Sequence, residues 1–218
     1  MGKETMDERR ELPREFRERL RGLEESYLRE TDPIRQSGFG GGAARWADER
    51  GHVLEAVERD GELLDVGCAN GYLLECLVKW AARKGVTLVP YGLDLEPRLI
   101  ELARARFPEY ADHFWAGNAW DWVPPRKFRY VYTLADCVPD AFLKEYVSRL
   151  LDLFVEEDGL LIVGVYVGQS AGVPAPDMAG ILRALGFRVA DSATRGLLPT
   201  SRIAWIHKEE TRIAHIGE

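Results

Sequence analysis

The sequence has little cysteine, no long apolar run and no excess of positive charge, and each shortage removes a class of protein. The three cysteines, Cys68, Cys76 and Cys137, form no Cys-x-x-Cys pair, and no histidine is spaced to complete a metal site. That argues against a disulfide framework and a bound metal, and points to reduced thiols in a cytoplasmic setting. No apolar stretch approaches the roughly 20 residues that span a bilayer, so no membrane partner is expected. Residues 1–31 are dense in charge rather than apolar, which is not the pattern of a signal peptide. Asp and Glu (36) outnumber Lys and Arg (29), giving a net charge of -7. General nucleic-acid binding would need a basic face, so only a local patch stays open. What is present is ordinary for a globular chain: 218 residues, 46% hydrophobic and 30% charged. That is one domain with a core large enough to need no staples.

From its start to residue 31 the chain carries Arg and Glu in near balance. Leu12, Phe16, Leu20, Leu23, Tyr27 and Leu28 recur at spacings of three and four. This predicts an amphipathic helix with a narrow apolar stripe, packed on the side of the domain or serving as a lid or a homodimer arm. Pro33 and the glycines at 38 and 40–42 then mark a mobile loop. Arg35, Gln36 and Ser37 are hydrogen-bonding groups on a segment able to close over a ligand; a plain linker is the alternative. Residues 1–42 thus form an N-terminal appendage, 43–208 the main domain and 209–218 a polar tail.

Within the main domain, Ala43 to Val57 reads as a helix. Strands are expected at Leu63 to Val66, Val86 to Leu93, His113 to Ala116, Phe128 to Leu134 and Gly159 to Val167. Between them lie helices at Tyr72 to Arg83, Pro97 to Phe107 and Asp140 to Val155. A further helix at Asp177 to Leu185 is closed by Gly186. Alternating strands and helices predict an α/β fold, a mostly parallel sheet with helices on both faces. The last two strands, Arg188 to Ala193 and Arg202 to Lys208, have no helix between them and should pair antiparallel.

The decisive stretch is Leu63-Leu64-Asp65-Val66-Gly67-Cys68-Ala69-Asn70-Gly71-Tyr72: a strand, a glycine turn and a helix start. Gly67 and Gly71 can take backbone angles closed to other residues. They also leave room for a ligand at a helix N-terminus. A dinucleotide fingerprint needs G-x-G-x-x-G, but Ala69 and Tyr72 stand at its second and third glycines. A phosphate loop needs a lysine after its last glycine, and none follows. The D-x-G-x-x-x-G that remains resembles motif I of the class I S-adenosyl-L-methionine (SAM)-dependent methyltransferases, with Ala69 where the middle glycine commonly stands. The resemblance covers roughly residues 43–208. It implies a Rossmann-like, doubly wound, seven-stranded sheet with an antiparallel last strand.

Ligands of open α/β sheets lie beyond the carboxyl ends of the strands, and the candidates cluster there. Asp65, Gly67, Cys68, Ala69, Asn70 and Gly71 make the first turn. Asp94, followed by Leu95, ends the second strand at about the 20-residue distance expected of an acid that accepts hydrogen bonds from ribose; capping the next helix is its other reading. The resemblance implies that Asn118 and Ala119, after the third strand, hold adenine, unless Asn118 is only a turn residue. Trp115, Trp120 and Trp122 could wall that pocket, with core packing the default. The resemblance implies that the loop after the fourth strand, from Leu134, faces both the methyl donor and the acceptor. Asp136 is the candidate catalytic base, while Asp140 either binds acceptor or caps a helix.

The chain lacks the Asn-Pro-Pro-Tyr-like motif of adenine- and glutamine-directed enzymes and the Pro-Cys of cytosine carbon-5 enzymes. His52, His113, His207 and His215 read as surface or packing residues. The acceptor site should be built from the segment before Ala43, Leu134 to Asp140, Tyr166 to Pro176 and Gly196 to Ser201. Their mixture of Tyr, Gln, Ser and small apolar residues suits a small-molecule acceptor. The expected function is SAM-dependent methyl transfer to such a molecule. The alternatives are a non-catalytic SAM-binding module, a methyltransferase of RNA or protein, and a nicotinamide oxidoreductase.

Overall fold

The computed structural model describes residues 11–168, 171–196 and 198–208. The expectations for residues 1–10, for Gln169 and Ser170 and for the tail from 209 lie outside the described residues. Seven strands form one sheet in the order β3-β2-β1-β4-β5-β7-β6. They are β1 (Gly61–Val66), β2 (Leu88–Asp94), β3 (Phe114–Ala116), β4 (Phe128–Leu134), β5 (Val155–Tyr166), β6 (Asp191–Arg195) and β7 (Ser201–His207). Neighbours from β3 to β5 pair parallel, and β7 pairs antiparallel with both β5 and β6. The central strands are apolar on both faces, as helix-covered parallel strands must be: Leu63 and Leu64, or Leu161, Ile162 and Val163, are all completely buried.

On one face pack α3 (Ala43–Gly51), α4 (Tyr72–Arg83) and α5 (Pro97–Arg106). On the other pack α6 (Leu143–Leu153), α7 (Met178–Ala184) and the start of α1 (Arg14–Leu28), which buries Phe16. Local chemistry explains the helix ends. Pro97 opens α5, where its missing N–H is harmless, and the Glu96 side chain caps it by accepting the Arg98 N–H at 3.0 Å. The residue before α4 is Gly71 at φ 72°.

Several boundaries differ from the sequence reading, and three of the differences have a clear physical reason. Segment 31–42 is not all loop: α2 (Pro33–Gln36) makes one helical turn, with Asp32 accepting the Ile34 and Arg35 N–H groups at 3.0 Å. Two of its glycines, Gly38 and Gly41, answer to packing. A Cβ on Gly38, at φ 81°, would lie 2.5 Å from the Tyr27 hydroxyl, and one on Gly41 would collide with the Phe39 ring. Strand β5 begins at Val155, before Gly159, with a register irregularity against β4. Strand β6 begins at Asp191 rather than Arg188, because Phe187 and Val189 pack into the core from the loop that precedes it. No helix among the described residues is long and apolar enough to cross a membrane.

Candidate functional site

The turn after β1 is welded to the end of β2. The Gly67 and Cys68 N–H groups both donate to the Leu93 carbonyl, at 2.8 and 3.1 Å. The Ala69 N–H donates to Asp94 Oδ2 at 2.7 Å, and the Glu96 N–H to Asp94 Oδ1 at 3.0 Å. To aim its N–H this way Ala69 sits at φ 47°, a left-handed conformation that glycine adopts without penalty. Asn70, completely buried, uses its whole amide: Nδ2 donates to the Pro33 carbonyl at 3.1 Å and to Gln36 Oε1 at 2.9 Å, while Oδ1 accepts the Tyr72 N–H. The glycine turn is therefore tied to β2 on one side and to α2 on the other.

Beyond the carboxyl ends of β1 to β4 lies a cleft of about 1010 Å³, counted to its open mouth. Gly67, Ala69, Asp94, Leu95, Asn118, Ala119, Leu134 and Asp136 line it from the strand ends. Arg19, Leu20, Leu23, Glu24 and Tyr27 line it from α1. A second cleft, of about 1020 Å³, shares Tyr27, Ser37, Leu134 and Asp136 with the first, and adds Phe39, Arg45, Arg50 and Tyr166. The two meet at Asp136.

The electrostatics are those of crowded acids. Burial, then the charge of Asp94, pushes Asp65 up to about 8, so it keeps its proton at neutral pH. Asp94 is itself raised by burial, against the pull of the Glu96 and Ala69 N–H groups. Glu24, facing Asp94 from α1, rises to about 7 through burial and then the charges of Asp94 and Glu96. Asp136 is open to the clefts, yet the walls around it raise its carboxyl against the pull of Arg19 and Arg50. Burial pushes the Cys137 thiol up to about 12, so it is no nucleophile.

No family model matches the sequence, and no curated protein matches it significantly. Solved methyltransferases do match its architecture. A TehB-like SAM-dependent methyltransferase from Corynebacterium glutamicum superimposes with a TM-score of 0.55 at 16% identity, over 86% of this chain and 98% of its own. The magnesium protoporphyrin IX methyltransferase of Synechocystis, solved with SAH, gives 0.55 at 18% identity, over 87% and 99%. DhpI, in complex with SAH, gives 0.59 at 16% identity, over 87% and 95%.

The chain has the SAM-dependent methyltransferase fold. On this methyltransferase fold the predicted site residues divide. Gly67, Ala69, Asp94, Leu95, Asn118, Ala119, Leu134 and Asp136 converge on the first cleft, with Ser37 at its edge. Asp65, Cys68, Asn70, Gly71 and Arg35 do not line it. Cys68 is buried against the other face, and Arg35 is exposed. The space beside Gly71 is taken by Ala103, which a Cβ would meet at 3.0 Å. Asp94 is not the helix cap; Glu96 is. Asn118 lines the cleft, and its Oδ1 accepts the Trp120 N–H at 3.0 Å, the bond of a turn residue. The three tryptophans do not wall the cleft: Trp120 packs edge-on to Phe142 and Trp122 lies against Trp115. Asp140 opens a short 3₁₀ turn and faces neither cleft. His52 is a packing residue, buried with Nε2 2.7 Å from Ser201 Oγ.

Sequence reasoning missed Arg19, Glu24, Tyr27, Tyr146 and Arg50 as lining residues, whereas Cys137 lies in the segment Leu134 to Asp140 expected at the site. For α1 the signal was the Leu20-Leu23-Tyr27 stripe, which did not say which surface it covers. For Arg50 there was no signal.

Proposed function

We propose that this protein transfers the methyl group of SAM to a small-molecule acceptor, with the nucleoside in the first cleft and the acceptor in the second. One observation carries the reading: Asp94, Gly67, Asn118 and Asp136, from four strand ends, converge on one cleft that opens at Asp136 into another. The residues suit the cofactor. A carboxylate has about four lone-pair sites, and backbone N–H groups use two of Asp94's, leaving acceptor capacity on each oxygen for ribose hydroxyls. Gly67, without a side chain, leaves open a space where a Cβ would reach Cys137 at 3.4 Å.

When bound, SAM supplies a methyl group already activated on a sulfonium, so the protein's part is to position and desolvate. Asp94 orients by its free lone pairs. Asn118 and the Ala119 backbone edge the base side. Asp136, held above its ordinary range, takes a proton where the acceptor must lose one. Helix α1, its stripe turned to the cleft, fits a lid better than a homodimer arm. Residues 1–42 are then the cover of a catalytic domain spanning 43–208. Three free cysteines suit a cytoplasmic enzyme, and the net charge of -7 speaks against a polyanionic acceptor.

Calorimetry with SAH and with NAD tests the reading. SAH binds and NAD does not if the proposal holds; the reverse makes the protein an oxidoreductase. Radiolabelled SAM offered with a broad acceptor panel then separates an enzyme from a binding module, which binds SAH tightly and transfers nothing.

A further inference from the structure

The second cleft is lined by a cation, Arg50, with no hydrogen-bond partner for its buried Nη1 among the described residues. Arg50 is 8% exposed, and among the described residues its Nη1 is buried with no hydrogen-bond partner and no carboxylate lies within ion-pair distance of it. A guanidinium keeps its charge at any working pH, and a buried charge is costly unless paired. Aromatic faces meet part of that cost: the Arg50 guanidinium carbon lies 3.3 Å from the Tyr166 ring centre, 4.7 Å from Phe39 and 5.4 Å from Trp46. Rings hold the cation in place but offer its N–H donors no lone pair in the plane of the fork. The neighbouring arginine is already satisfied, since Arg45 grips Glu49 in a two-pronged bond at 2.8 and 3.2 Å.

We propose that Arg50 is the anchor for a carboxylate on the acceptor, so that the substrate is a small organic monoacid; this rests on the methyltransferase reading above. Arg50 lines the second cleft with Tyr166 and Phe39, and Asp136 stands where that cleft joins the first. A planar carboxylate accepts two parallel N–H bonds from a guanidinium fork, which gives the acceptor a fixed direction relative to Asp136. The charge balance selects the anion. Arg45 and Glu49 cancel, which leaves the single positive charge of Arg50 to meet one carboxylate, and the Asp136 carboxyl where the clefts join disfavours a second negative charge, so a dianionic phosphate is rejected. The aromatic rings beneath and beside Arg50 suit a flat body behind the carboxylate.

The test uses the full chain saturated with SAH, and benzoate, benzamide and inorganic phosphate as probes in ligand-observed NMR titrations. Arg50→Lys keeps the charge and loses the fork; Arg50→Met removes both. The expected result is that benzoate binds the native protein at least about tenfold more tightly than benzamide, the scale of a charge-assisted hydrogen bond. Phosphate should fail to displace it. Arg50→Met should lose the preference and Arg50→Lys should keep only part of it, while both bind SAH as the native protein does. Arg50→Lys stands in if Arg50→Met fails to fold. Equal binding of benzoate and benzamide, displacement by phosphate, or a preference unchanged in Arg50→Lys overturns the proposal. If SAH does not bind the native protein, the methyltransferase reading fails instead, and the same samples show it.

Discussion

Replacing Asp94 with asparagine removes one charge and keeps the shape, and its consequences can be worked out bond by bond. The native carboxylate accepts the Ala69 N–H at 2.7 Å on one oxygen and the Glu96 N–H at 3.0 Å on the other. An asparagine has a single acceptor oxygen, so in either orientation its NH₂ group faces one of those two donors. One backbone hydrogen bond to a charged acceptor is lost, worth about 1.5–3 kcal/mol. Part of that is returned, because burial already opposes the Asp94 charge and Asp65 no longer feels it. A net loss of about 1 kcal/mol lowers the melting temperature of a chain this long by roughly 2–4 °C. The ligand loses more. One ribose hydroxyl finds an amide N–H where it found a lone pair, and SAH affinity falls about 10- to 100-fold. Calorimetry at neutral pH measures the affinity, and a melt without ligand measures the structural share. Glu24 provides a second readout: with the Asp94 charge gone its carboxyl titrates below the native value of about 7. Asp94→Asn protein that binds SAH within about threefold of native, while melting where native protein melts, would refute the placement of ribose at this acid.

Four further outcomes are expected. Ala69→Gly relieves a left-handed strain of about 1 kcal/mol against a similar entropic cost, so its melting temperature stays within a few degrees of native. Ala69→Val, β-branched at φ 47°, loses at least about 2 kcal/mol, read by urea titration of both variants. Gly38→Ala places a methyl group against the Tyr27 hydroxyl at a positive φ, and SAH affinity drops several-fold because Tyr27 lines both clefts. His52, held down to about 4 by burial and then by Arg195, sets a pH dependence. The unfolded chain takes up its proton near 6.5 and the folded chain refuses it until about 4, so stability falls as pH drops through that window. The total is about 3 kcal/mol, and denaturant titrations of native and His52→Gln protein should converge by that amount from pH 7 to 4.

The centre of this fold was legible because its residues obey short-range rules. Helix Tyr72–Arg83 and strand Phe128–Leu134 run between the boundaries the periodicity predicts, and Asp94 stands where a strand-ending acid should. Elsewhere, local pattern and tertiary demand part company. Phe187 and Val189 look like strand residues and are core plugs in a loop, whereas the true edge strand, 191–195, buries Ala193 alone. The glycines of 38–42 look like hinges, yet Gly38 and Gly41 make room for aromatic rings. Arg50 was invisible for a stronger reason. Its significance lies in Tyr166, 116 positions away, and in a hydrogen-bond partner that no described residue supplies. A window of sequence reads neither.

The amide of Asn70, with all three of its bonds committed to α2 and to the turn beside it, has a practical meaning for anyone reshaping this protein. Segment 33–41 walls the second chamber and is the obvious piece to exchange when altering substrate preference. A graft there must bring its own acceptors for the Asn70 NH₂, or the first chamber will slacken along with the one being redesigned.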